Sequence, residues 1–144
     1  MYSRKVRLLL VEDSPSDVWL VREAFRLAYL PAEVTVARDG VEATDYLHRV
    51  QTETADLPDL VLLDLNLPRK NGREVLAEIK ASPGLQPIPI FVLSSSDAED
   101  DMREVYALNA CCFMTKPSSL PGYVEMVHGL KKFWLSGLAL RQTA

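Results

Sequence analysis

The sequence predicts an α/β protein: five parallel strands alternating with five helices, a three-layer sandwich with flavodoxin-like strand order 2-1-3-4-5. Two observations lead there. Short apolar runs recur between segments whose apolar residues repeat at helical spacing, which is the signature of βαβ units. Three of those runs also stop at a residue that phosphoryl chemistry needs. The run over 6–11 stops at Glu12 and Asp13, the run over 60–63 at Asp64, and the run over 111–115 at Lys116-Pro117. A fourth, over 90–93, stops at Ser94. In a parallel sheet the carboxyl ends of the strands share one edge, and ligands bind along it. Carboxylates, a hydroxyl and an ammonium would therefore meet in one shallow cup.

Each element has a local reason. After the first strand, Ser14-Pro15-Ser16-Asp17 is a helix start, with Ser as N-cap, Pro first and an acid third. Val18, Val21, Phe25 and Ala28 make its buried stripe. A weak second strand covers 33–37. Asp39-Gly40-Val41-Glu42 opens a second helix with Ala43, Leu47 and Val50 inward. A polar loop over 51–59 leads to the third strand, 60–64, whose unbroken apolar run suits a central strand covered on both faces. Asn71-Gly72 belongs to the following loop, and a third helix spans 73–81 with Val75, Leu76 and Ile79 inward. Ser96-Asp97-Ala98-Glu99 is a capping box for a fourth helix that ends near Asn109. The fifth strand is 111–115. Ser119-Leu120-Pro121 starts a last helix that stops at about Ser136 or Gly137.

Composition narrows the classes. The 144 residues make one domain, 48% hydrophobic and 25% charged, ordinary for a globular protein. A net charge of −4 argues against nonspecific nucleic-acid binding. No apolar stretch approaches the roughly 20 residues that span a bilayer, and the basic start lacks a signal-peptide core. A cytoplasmic protein is expected. Cys111 and Cys112 are adjacent on a strand and point to opposite faces, so they read as small buried hydrophobes. His48 and His128 fall in helices without metal-like neighbours and carry no phosphorelay role.

Glu12, Asp13 and Asp64 would lie within a few ångströms of one another. Two like charges 4 Å apart repel by about 4 kcal/mol at an effective dielectric near 20. Such a cluster raises a pKa or recruits a cation, and hard oxygen ligands with open positions suit Mg²⁺. Asp64 is then the natural nucleophile toward phosphorus, forming an aspartyl phosphate. Lys116 can pair with a phosphoryl oxygen, and Ser94 can reach another.

The pieces Leu9-Leu10-Val11-Glu12-Asp13-Ser14, Leu62-Leu63-Asp64-Leu65-Asn66-Leu67-Pro68, Leu93-Ser94-Ser95 and Lys116-Pro117 resemble the response-regulator receiver domains of two-component signalling. The resemblance covers roughly 7–133. It implies that Asp64 is the phosphoacceptor, that Glu12 and Asp13 hold Mg²⁺, and that the backbone carbonyl of Asn66 is a further ligand. It also implies that Ser94 and Phe113 are switch residues, that Lys116 is the family's cation, and that a sensor histidine kinase donates the phosphoryl group. Ser94 stands where Thr is also common and Phe113 where Tyr is common, which bears on the strength of coupling. The stretch over 11–18 and Asn71-Gly72-Arg73-Glu74-Val75-Leu76 look like the single-domain regulators paired with cyanobacterial phytochrome kinases.

The receiver is expected to span 1–137, with 138–144 a short tail and no output domain, so signalling must run through changed association. In the last helix Tyr123, Met126, Val127, Leu130, Phe133, Trp134 and Leu135 cover more than the single stripe a surface helix needs. Either these residues pack back on their own domain, or Phe133, Trp134, Tyr123 and Met126 form an interface. A homodimer through the fourth and fifth helices is the favoured expectation. Two other functions compete: a Mg²⁺-dependent phosphatase using an aspartyl phosphate, and a degenerate receiver serving only as a scaffold. Such phosphatases usually place an acid two residues past the nucleophile, and here that position is Asn66.

Overall fold

The strands begin where the apolar runs begin. The computed structural model describes residues 5–52, 57–95 and 112–143, with side chains described as far as Trp134. Along them run β1 (Val6–Val11), α1 (Pro15–Leu27), β2 (Ala32–Ala37), α2 (Gly40–Gln51), β3 (Leu60–Asp64), α3 (Gly72–Ala81), β4 (Ile90–Ser94), β5 (Cys112–Thr115) and α4 (Leu120–Thr143). The fourth helix expected after Ser96, its end at Asn109, and Cys111 lie outside the described residues. The last helix is therefore α4 here.

All five strands are parallel, in the order β2-β1-β3-β4-β5. Every residue of β3 and β4 is buried, because alternate side chains enter two different cores. Leu8, Leu10, Leu60, Leu62, Phe91 and Leu93 face α1 and α4. Leu9, Val11, Val61, Leu63, Ile90 and Val92 face α2 and α3. The continuous apolar runs are thus two interleaved stripes, one per face.

The helices start on the expected caps. Ser14 accepts the Asp17 amide at 3.4 Å, with Pro15 first in α1. Asp39 accepts the Glu42 amide at 2.9 Å and opens α2. The end of α1 closes as a Schellman turn: Tyr29, at φ 55, donates to the Arg26 carbonyl, and Leu30 donates to that of Phe25. Helix α3 begins at Gly72 rather than Arg73, since Asn71 is its N-cap in a reciprocal capping box with Glu74.

Two expectations about the last helix need correction. Helix α4 does not stop at Ser136 or Gly137 but runs on to Thr143. One glycine costs a helix only about 1 kcal/mol, and Leu138, Ala139, Leu140, Arg141 and Gln142 are strong helix formers. Of the four residues expected at an interface, Tyr123, Met126 and Trp134 are buried in the chain's own core against α1, as are Val127 and Leu130. Their stripe is wide because α4 packs on both α1 and the sheet. Only Phe133, 40% exposed, stays on the surface, with its ring edge-on to Phe91 at 5.1 Å.

Candidate functional site

The cup forms where β1, β3, β4 and β5 end together. Val11 is paired with Leu63, Asp64 with Leu93, and Ser94 with Thr115. Glu12, Asp64 and Lys116 therefore leave the sheet at one level. Glu12 is 2% exposed and Asp64 3% exposed, whereas Asp13 faces solvent. One carboxylate oxygen from each of Glu12, Asp13 and Asp64 falls within a group spanning 4.8 Å.

Hydrogen bonds fix each member. Asp64 accepts the Asn66 amide at 2.8 Å on one oxygen and the Lys116 ammonium at 3.0 Å on the other. The Asn66 side chain, itself exposed, donates to Ser95 Oγ at 2.9 Å. Glu12 accepts Lys116 Nζ at 2.7 Å on Oε1 and the Ser14 amide at 3.1 Å on Oε2. Ser94 is wholly buried, and its carbonyl accepts the Lys116 amide at 2.7 Å, tying the end of β4 to the residue after β5. Phe113 is half-buried on β5 and packs toward the α2–α3 core. The structure thus brings Glu12, Asp13, Asp64, Asn66, Ser94 and Lys116 to one edge. Phe113 lies further back along β5, paired with Val92, while Tyr123, Met126, Phe133 and Trp134 belong to α4.

Two features were not read from the sequence. Lys116 Nζ contacts a third carboxylate, Asp17 Oδ2, at 3.2 Å. The Tyr123 hydroxyl lies 3.4 Å from the other Asp17 oxygen. An acid at the third position of a helix signals a capping box, which conceals this second use. Gly72 is the other: the loop after β3 folds back so that Gly72 donates to the Leu65 carbonyl at 3.1 Å, directly under Asp64.

Charge shapes the site. Burial pushes the Glu12 carboxyl from the ordinary 4.5 up to about 7; Lys116 opposes the shift and nearby Asp64 adds to it. Burial would lower Lys116, but its hydrogen bonds to Glu12 and Asp64 outweigh that and hold it well above the usual lysine range. Three acids, Glu12, Asp17 and Asp64, pair with this one ammonium, and a fourth, Asp13, lies beside Glu12 and Asp64. The excess of hard oxygen donors fits a divalent cation of the Mg²⁺ or Mn²⁺ kind. A cleft of about 290 Å³ runs past Glu12 and Asp13 toward Arg22 and Arg38. A roomier one of about 490 Å³, between the end of α1 and the start of β2, holds none of these carboxylates.

Known proteins resemble the chain in sequence and in fold. The family model described as the response regulator receiver domain matches residues 8–128. Response regulator Rcp1 of Synechocystis sp. is 44% identical over 134 residues, which cover 92% of this chain and 91% of Rcp1. The crystal structure of the phosphorylated cyanobacterial phytochrome response regulator RcpA superposes with a TM-score of 0.83 at 46% identity, covering 93% of this chain and 96% of RcpA. That of the Mn²⁺-bound form of Rcp1 gives 0.79 at 44% identity, covering 90% of this chain and 94% of the other.

Proposed function

The chain belongs to the response-regulator receiver family, and from that premise we propose that it takes a phosphoryl group onto Asp64 from a phosphohistidine kinase. It is a receiver-type response regulator related to the phytochrome response regulators. The observation that carries the proposal is the seating of Asp64. It ends a wholly buried strand, with an amide on one carboxylate oxygen and an ammonium on the other, beside two further acids.

In the transfer, an Asp64 oxygen forms the new P–O bond as the P–N bond of the phosphoimidazole breaks. The bonding pair leaves with the imidazole nitrogen, which takes up a proton. Lys116 stands 3.0 Å from Asp64 and offsets charge on an arriving phosphoryl oxygen. Ser94, at the end of the neighbouring strand, supplies a hydroxyl to another. Glu12, Asp13, Asp64 and the Asn66 carbonyl would hold Mg²⁺, which when bound neutralises phosphoryl charge. The Mn²⁺-bound form of Rcp1 supports a divalent ion here. Ser94 and Phe113 act as the switch pair, on adjacent strands β4 and β5.

The donor kinase is of the phytochrome type, a reading supported by the likeness to RcpA and Rcp1. Among the described residues no helix is long and apolar enough to cross a membrane. The regulator's output is a changed association with a second copy, in which exposed Phe133 takes part. Light scattering at micromolar concentration, with and without phosphorylation, tests this; a monomer in both states rejects it.

The chemistry is tested by incubating the protein with acetyl phosphate and Mg²⁺ and following intact mass. The expected result is a single phosphoryl increment that Asp64→Asn abolishes. Rapid turnover of assorted phosphate esters would instead mark a phosphatase, and no increment a scaffold.

A further inference from the structure

Lys116 has three ammonium hydrogens and three carboxylate partners: Glu12 at 2.7 Å, Asp64 at 3.0 Å and Asp17 at 3.2 Å. Two of the three are committed elsewhere once the site is in use, on the reading of Asp64 given above. An Asp64 oxygen becomes part of the acyl phosphate, and Glu12 would be among the residues that hold the cation. Asp17 alone has neither duty.

Local structure frees Asp17 for this. At the third position of α1 its carboxylate would ordinarily reach back to the Ser14 amide and complete a capping box. That amide is already taken by Glu12 Oε2 at 3.1 Å. The backbone of Asp17 still serves the cap through Ser14 Oγ, which fixes the residue while its side chain turns inward. There one oxygen meets Lys116 and the other meets the Tyr123 hydroxyl. The Tyr123 ring is fully buried in the core between α1 and α4. Burial and the neighbouring Asp17 push its phenol well above the usual range, so it remains a hydrogen-bond donor.

We propose that Asp17, held by Tyr123, is a positioning residue that keeps the Lys116 ammonium aimed at the phosphoryl oxygens. The contact works in both directions. It joins the site to α4 through a route of two hydrogen bonds, Lys116 to Asp17 and Tyr123 to Asp17, separate from Ser94 and Phe113. A change in what Lys116 holds therefore reaches the first turn of α4 directly.

The test compares wild type, Asp17→Asn, Tyr123→Phe and the double variant, all as full chains labelled with acetyl phosphate and Mg²⁺. Asp17→Asn is expected to slow labelling at saturating acetyl phosphate about tenfold, because an ammonium held less firmly is less often aligned with the reacting oxygens. Tyr123→Phe keeps the ring and the charge, and is expected to slow it roughly threefold. If tyrosine acts through the aspartate, the double variant is no slower than Asp17→Asn alone. Melting temperature and calorimetric Mg²⁺ affinity should hold for Tyr123→Phe.

Asp17→Asn labelling at the wild-type rate overturns the proposal, and so does a double variant whose losses multiply. A rate loss that merely tracks early melting or lost Mg²⁺ binding overturns it as well, since the effect is then on folding. If wild type takes no label, the reading of Asp64 fails and this one falls with it. Labelled wild type beside an indifferent Asp17→Asn sinks the positioning role alone.

Discussion

Gly72 has no room for a side chain. A β-carbon there would lie 2.6 Å from the Asp64 carbonyl oxygen and 2.6 Å from the Leu65 Cα. Both are backbone atoms, so neither can swing aside as a flexible side chain would. Gly72→Ala must push the end of β3, and with it the phosphoacceptor, out of place. The expected cost is about 1–3 kcal/mol, the range for overpacking a tight site, read as a lowered midpoint in urea, together with slower labelling of Asp64. A neighbouring change separates capping from crowding. Asn71→Ala removes half of a capping box but leaves the close approach intact; about 1 kcal/mol should be lost, with labelling near the wild-type rate. The sequence marks Asn71-Gly72 as turn-forming residues, and that much is correct. What it hides is the partner, because a clash with a strand end seven or eight residues back depends on how the loop returns. Asp17 was illegible for a related reason: its local signal, a helix cap, is genuine, while its second role depends on Lys116 and Tyr123, which the fold alone brings near.

At the scale of elements, the strands were legible because each face of a central strand must be apolar, and 60–63 and 90–93 have no polar residue to misread. The second strand has a weaker apolar pattern, consistent with its edge position in the sheet. Helix α4 was harder. Its apolar residues exceed one stripe, and a wide stripe reads equally as an interface or as contact with two layers of the same domain. The structure decides for the second at Tyr123, Met126 and Trp134. The two neighbouring aromatics of α4 should therefore respond differently to truncation. Trp134 is 4% exposed, and Trp134→Ala is expected to cost about 3–5 kcal/mol, the range for removing a buried aromatic. Phe133 is 40% exposed and loses chiefly its edge-to-face contact with Phe91, so Phe133→Ala should cost about 1 kcal/mol in the monomer. Urea denaturation of both variants checks the order, and equal losses would place Phe133 in the core as well.

Over the whole molecule, the fold spends its sheet edge on a group of like charges. Glu12 is 2% exposed, lies beside Asp64 and shares one ammonium with two other acids. An acid whose carboxyl stands near 7 in the folded chain but near 4.5 when unfolded favours folding while it is protonated. The sign follows: below about pH 4.5 the group is protonated in both states and its contribution is constant. As pH rises from there to about 7, the unfolded chain ionises first and stability drains away. The chelator-treated protein should therefore lose stability across that window through this residue. Glu12→Gln, neutral at every pH, should flatten the loss, while the Asp39–Arg69 pair on the α2 side keeps its ordinary acid-side behaviour. A divalent cation binding only the folded state adds stability by mass action, about 2.7 kcal/mol at a hundredfold excess over its dissociation constant. Because the cation needs Glu12 ionised, its stabilisation should grow as pH rises toward 8. Thermal melts of wild type and Glu12→Gln, with chelator and with Mg²⁺, across pH 5 to 8 measure both trends. A Mg²⁺ increment that does not vary with pH in wild type would remove Glu12 from the set of acids that bind the ion.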